Sequence, residues 1–170
     1  MTVVGNNSAV SVADVGGAAS IRTSFGLVEA ARMGGDLTVD NSNGAVKASG
    51  VAGGANVTTS FAGVTIDGVA GRVDVDNQNG SVDVKALVGK AGACFPLSLK
   101  SSFGPIRVQL PEGVGYDVTA HTSFGKVSSQ IPLTVTGSLS ADSLSGKIGD
   151  GKCTLTLENS NGNIDIVKGK

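Results

Sequence analysis

The chain has a single histidine, His121, so a nucleophilic triad or a histidine-ligated metal would have to use it. It sits in the run Tyr116-Asp117-Val118-Thr119-Ala120-His121, where polar and apolar residues alternate. In a strand, that alternation puts His121 on the side of Asp117 and Thr119, away from Val118 and Ala120. A surface position is expected, not a catalytic one. Asp67, Asp74, Asp76 and Asp83 form the densest acidic group. Two carboxylates flanking a glycosidic bond would supply acid and base. All four alternate with Val or Ile, however, so the expectation is that they face solvent, where charge discourages strand aggregation. Asp74 to Gly80 opens like an EF-hand loop, but the ligand spacing fails. Gly34-Gly35-Asp36 does not recur as a calcium-binding nonapeptide. The Gly-rich turns lack the Gly-Lys-Ser/Thr ending of a phosphate loop. No catalytic, cofactor-binding or metal-binding residue is assigned, and no cofactor is expected.

Two further residue types bear on chemistry. Cys94 and Cys153 are far apart and in no metal-ligand spacing. Two buried or half-buried thiols are expected, with a disulfide as the alternative. A recurring Thr-Ser-Phe-Gly unit would offer hydroxyls and rings to a glycan if its Phe faced outward. Inward packing is the expectation, because the chain has only 5 Phe, 1 Tyr and no Trp with which to fill a core.

The elements that carry these residues follow from composition. Glycine, at 26 residues, is about twice its usual share. Val, Ile, Leu and Ala dominate the rest, which suits many short strands joined by tight turns. Charge is balanced, 13 basic against 14 acidic residues, with no basic patch to mark a nucleic-acid partner. No segment is apolar over the length of a membrane span. Met1 to Val15 has neither the basic nor the apolar region of a secretory leader.

An internal repeat organises the whole chain. Thr23-Ser24-Phe25-Gly26 is followed by Asn41-Ser42-Asn43-Gly44, Ser60-Phe61-Ala62-Gly63 and Asn77-Gln78-Asn79-Gly80. Ser101-Ser102-Phe103-Gly104, Thr122-Ser123-Phe124-Gly125, a weaker Ser143-Leu144-Ser145-Gly146 and Asn159-Ser160-Asn161-Gly162 continue it, and Asn6-Asn7-Ser8 precedes it. The marker glycines Gly26, Gly44, Gly63 and Gly80 recur with a period of about 18 residues. From Gly80 through Gly104 and Gly125 to Gly146 the steps are longer, and the last, to Gly162, is shorter. The longer steps hold insertions such as Lys85 to Pro96. Within a unit, Val73 and Val75 alternate with Asp74 and Asp76, and Val82 and Val84 with Ser81 and Asp83. Gly50-Val51-Ala52-Gly53 and Gly68-Val69-Ala70-Gly71 mark a second corner, requiring positive φ or close backbone approach. Each unit therefore reads as strand, Gly turn, strand, Gly-Val corner. A unit alone cannot bury its apolar face; stacked units can. An all-β solenoid (a parallel β-helix) of about nine coils of roughly 18 residues is expected, forming a single domain over residues 1–170. Phe and Asn alternate at the turn, which leaves open coils of about 36 residues with like stacked on like. A Greek-key sandwich is a lesser alternative.

These units resemble a bacterial family of domains of unknown function that is named, by supposition, for adhesins and is expected to be a β-helix. Ile106-Arg107-Val108-Gln109-Leu110-Pro111-Glu112-Gly113 resembles its strand ending in Leu-Pro. Phe124-Gly125-Lys126-Val127 follows at the family's distance, and Gly146 through Ile166 resembles its final coils. The resemblance implies a bacterial envelope location, in the periplasm or at the cell surface, and no catalytic residues. Because the chain begins inside a repeat, it reads as the C-terminal portion of a longer protein. The expected role is non-enzymatic: a surface scaffold contacting proteins or glycans, with an envelope-stress regulatory module as a variant. End-to-end self-association through repeat-like terminal strands, Ala9-Val10-Ser11-Val12 and Asn163-Ile164-Asp165-Ile166, is a second reading. A carbohydrate-active enzyme is a third, weakened by the lack of aromatic subsites.

Overall fold

A computed structural model describes residues 1–86 and 94–169. It is all-β, with two long sheets facing each other. The first sheet has ten strands, in stacking order β1 (Thr2–Gly5), β3 (Ala19–Phe25), β5 (Leu37–Asn43), β7 (Ala55–Phe61), β9 (Val73–Asn79), β11 (Leu97–Phe103), β17 (Cys153–Asn161), β13 (Tyr116–Phe124), β16 (Ser143–Ile148) and β15 (Thr134–Leu139). The second has eight: β2 (Val10–Val15), β4 (Val28–Met33), β6 (Val46–Val51), β8 (Val64–Val69), β10 (Val82–Ala86), β12 (Ile106–Leu110), β18 (Ile164–Lys168) and β14 (Val127–Ser129). From β1 to β15, and again from β17 to β18, the chain passes from one sheet to the other at each turn, so it winds as a β-solenoid. Of the inserted stretch Lys85 to Pro96, residues 87–93 lie outside the described part.

Period-2 alternation builds the core. Val39, Val57, Val75, Leu99 and Leu157 from one sheet meet Val46, Val64, Val82, Ile106 and Ile164 from the other, all 3 % exposed or less. β-Branched side chains suit this interior, since a parallel sheet buried on one face favours compact residues on its pleat. Through the first five strands of each sheet, residues pair with their equivalents in the next coil, apart from a shift between Lys85 and Ala86: Leu37 lies beside Ala55, and Val46 beside Val64. Phe25 accordingly stacks on Asn43, and Asn43 on Phe61.

This register corrects two readings of the repeat. Ala62, not Gly63, occupies the column of Gly44 and Gly80, because Phe61 pairs with Asn43 and Asn79. Ala62 takes φ +103 to do so. The stretch Ser143-Leu144-Ser145-Gly146 is not a turn at all. It belongs to β16, which runs antiparallel to both β13 and β15. The described residues thus form eight strand pairs and one antiparallel hairpin. At the Gly-Val corner, the two glycines do different work. Gly68 has φ +86, whereas at Gly71 a Cβ would come within 2.5 Å of the Gly53 backbone.

A larger correction concerns the end of the chain. β17 and β18 are not terminal coils: β17 lies between β11 and β13, and β18 between β12 and β14. The run Asn163-Ile164-Asp165-Ile166 is therefore an inner strand. At that end of the stack, β15 is the outermost strand of the first sheet and three-residue β14 of the second.

One interior column is polar. Thr23, Asn41, Thr59, Asn77, Ser101, Asn159 and Thr122 stack in that order and are 5 % exposed or less. Each side chain beyond the first bonds a turn carbonyl of the coil beneath. Asn77 Nδ2 donates to Ala62 O at 2.9 Å, and Asn159 Nδ2 to Gly104 O at 2.7 Å. Ser101 Oγ donates to Gly80 O at 3.1 Å, and Thr122 Oγ1 to Gly162 O at 2.9 Å. Buried carbonyls that the sheet ladders cannot reach are satisfied in this way. The Oδ1 atoms of Asn41, Asn77 and Asn159 have no partner, which reduces the net gain. Asn77→Ala is expected to lower the unfolding free energy by about 2 kcal/mol, from the stranded carbonyl and the cavity together. Asn77→Thr, which restores a donor, should cost less than half as much. Urea denaturation of both variants checks this; equal losses would mean that the donor contributes nothing.

Candidate interaction surface

The four turn phenylalanines are outside. Phe25, Phe61, Phe103 and Phe124 are 50, 53, 54 and 73 % exposed, against the expectation that they pack inward. Strict alternation after Ile21 and Thr23 points Phe25 into the core, but the pleat stops there. Thr23, Asn41 and their equivalents already fill the interior at this corner with bonds to the turn carbonyls. The chain then swings outward through Gly26 at φ +119. Backbone bonds such as Gly26 N to Asn43 O, 3.0 Å, and Gly44 N to Phe61 O, 3.0 Å, hold turn on turn.

The register arranges these residues in one line along the stack: Phe25, Asn43, Phe61, Asn79, Phe103, Asn161, Phe124. Beside it runs an uncharged outward column, Ser24, Ser42, Ser60, Gln78, Ser102, Ser160 and Ser123. Charge begins one column further, where Arg22, Asp40, Asp76, Lys100 and Glu158 mix both signs. Arg22 lies 3.5 Å from Asp40, and Lys100 4.0 Å from Glu158. Such exposed pairs add little stability, but they leave no single-sign field.

The other sequence candidates are dispersed. Asp74 and Asp76 lie on the first sheet and Asp67 and Asp83 on the second, so the four carboxylates never converge. Asp74 pairs with Arg72 at 2.8 Å, and Asp67 with Lys85 at 3.6 Å. His121 is exposed on β13, with Ser143 and Glu158 as its strand neighbours. Among the described residues no group of three His, Cys, Asp or Glu side chains could hold a metal ion. Among them, too, no helix is long and apolar enough to cross a membrane. A depression of about 590 Å³ lies open along Asp36, Asn56, Arg72, Asp74 and Phe95. Asp14 is held below the usual carboxylate range by the hydrogen bond from Arg32, and Asp142 by the bond from Ser140. Both are surface effects with no link to a cleft.

Cys94 and Cys153 are joined in a disulfide, with Cα atoms 6.0 Å apart, which corrects the expectation of free thiols. The bond ties the segment before β11 to the first residue of β17. Tyr116, 1 % exposed, begins the neighbouring strand; burial pushes its phenol up, offset in part by a hydrogen bond with the Phe95 backbone. Cys94 is thus held where β17 enters the stack. A 59-residue separation gives a chain-entropy contribution of about 4 kcal/mol. Cys153→Ser is expected to lower stability by about 2–4 kcal/mol. Thermal unfolding with and without a reductant checks this, since the variant alone should be insensitive to the reductant.

Two facing sheets, parallel except at the closing hairpin, a polar ladder inside one corner and a regular aromatic line outside it define a β-solenoid repeat domain. A family model covers residues 3–167, and the chain belongs to the Toastrack DUF4097 family, a domain family of unknown function. Neither the curated proteins nor the solved structures give a significant match to this chain.

Proposed function

We propose that this domain is a non-enzymatic binding scaffold of the bacterial cell envelope, working outside the cytoplasm. Its ligands are envelope proteins or glycans, held along an extended surface. The observation that carries this reading is the line of four exposed Phe rings. Their placement is unfavourable in water and regular over the length of the stack, as an interaction surface requires. The disulfide supports an oxidising compartment, where such bonds form and persist. The dispersed carboxylates and single exposed histidine support a role without catalysis.

The test is binding of the purified domain to arrays of envelope glycans and proteins. A saturable hit abolished by substitutions on the Phe line, and not by substitutions on the second sheet, supports the reading. Turnover of any arrayed glycan, or uniform absence of binding, counts against it. A hit confined to a membrane-protein partner would favour an envelope-stress regulatory role within the same scaffold class.

Self-association is a second reading, favoured by one observation. β1 and β2 are the outermost strands at one end of the stack, and their outer edges have no partner among the described residues. The opposite end carries the hairpin, so pairing of two open ends closes a dimer instead of extending a fibre. Sedimentation tests this: a monomer at high concentration, or species larger than a dimer, excludes it.

A further inference from the structure

The identity of the ligand class follows from the spacing and chemistry of the exposed line, and this inference rests on the binding-scaffold reading above. Neighbouring strands lie about 4.8 Å apart, so rings that recur at every second strand repeat at about 9.6 Å. That distance is close to the disaccharide repeat of an extended β-1,4-linked glycan, in which successive sugars are turned by half a revolution. The line alternates with the same period, Phe and then Asn, from Phe25 to Phe124. It runs six strand steps, about 29 Å, or three such repeats.

We propose that the Phe–Asn corner is a binding rail for a neutral, extended β-1,4-linked glycan lying along the solenoid axis. Every second sugar places its C–H face on a Phe ring, as the negative face of an aromatic ring favours. The intervening sugar meets the amide of Asn43, Asn79 or Asn161, a group whose donors and acceptor suit hydroxyl or acetamido substituents, although Asn79 already donates one N–H to Ser60 O at 3.3 Å. Serines of the adjacent column add hydroxyl contacts. Charge selects against polyanions: neither the line nor the adjacent Ser and Gln column contains a basic residue to neutralise one. The rings are half or more exposed in one line along the stack, which suits a polymer and not a small molecule. An α-1,4-linked chain curls and loses register with the rings after one repeat.

Calorimetric titration of the intact domain with chitohexaose and cellohexaose tests this, alongside chitobiose, maltohexaose and a hexamer of galacturonate. At least one β-1,4-linked hexamer should bind saturably, at least about tenfold more tightly than the disaccharide, since two further rings engage. The exposed double variant Phe61→Ala/Phe103→Ala should keep its thermal midpoint and bind the hexamer about tenfold more weakly. The proposal is overturned if neither β-1,4-linked hexamer binds, if the double variant binds as tightly as the parent, or if the galacturonate or maltose chain is preferred. Should the hexamers fail while an arrayed envelope protein or another glycan binds and is lost in the double variant, the scaffold reading stands and only the glycan class is wrong. Failure of all ligands removes both.

Discussion

Truncation after Lys152 is expected to free residues 116–148 from the stack while the coils from β3 to β10 remain folded. The reason is the stacking order. β13 pairs only with β17 and β16, and β14 only with β18, so no other described strand attaches the closing unit to the solenoid. Removing β17 and β18 also removes the disulfide and the Asn159 bond to Gly104 O. β13 could move onto β11 in the same register only by placing Phe124 on Phe103 and Thr122 on Ser101, with no amide between them. Native-state hydrogen exchange reads the outcome residue by residue. Amides of Val118, Ala120 and Leu144 should exchange at nearly unprotected rates, and those of Val57 and Val64 should stay protected. Protection retained across β13 would show that the closing unit docks without the inserted coil.

The second large effect lies in one turn column. Gly80→Ala is expected to cost about 3 kcal/mol or more, combining a backbone conformation disfavoured for a non-glycine residue with overpacking against a neighbouring turn. Gly80 has φ +145, and a Cβ there would overlap the carbonyl of Ala62. Because the obstacle is backbone held by ladder bonds on both sides, it cannot swing aside. Ala62 is the natural counter-experiment. It occupies the same column at φ +103, where the other coils have Gly26, Gly44, Gly104 and Gly162. Ala62→Gly should therefore stabilise the domain by about 1 kcal/mol, even though glycine loses more chain entropy on folding. Urea midpoints of the two variants should move in opposite directions. A loss on Ala62→Gly would mean that the methyl group's packing outweighs its strain.

These features differ in how far the sequence announces them. Alternation in Val73-Asp74-Val75-Asp76 and Val82-Asp83-Val84 is a local signal, and it places β9 and β10 and their outward carboxylates. The Gly-Val corner is equally local. The outward Phe rings are not, because parity counted along the strand points them inward. Only the competition for the corner interior, taken by Thr and Asn, turns them out. Ala62 is hidden by a glycine one residue later that imitates the motif. The disulfide depends on two segments 59 residues apart meeting at the entry of β17. The insertion of β17 does have a signal in the sequence. Two Phe-type turns, at Phe103 and Phe124, follow each other directly, and an Asn-type turn at Asn161 is left over. Restoring the alternation requires the last coil to slip between the other two. The apolar positions could not reveal this, since Leu97, Leu155 and Val118 are interchangeable as inward neighbours.

The alternating column has a bearing on how such a domain can be inherited. Geometrically the stack repeats with every coil, but chemically it repeats only with every second one, a Thr-Phe coil followed by an Asn-Asn coil. Tandem duplication or loss of one such coil pair between β3 and β10 preserves every carbonyl bond of the buried ladder and the spacing of the outer line. Gain or loss of a single coil sets Phe on Phe or Asn on Asn and breaks the spacing of the outer line, although Thr, Ser and Asn each donate to the turn carbonyl beneath. A domain that keeps the alternating outer line is therefore expected to change its length by pairs of coils, with the closing hairpin left at its end.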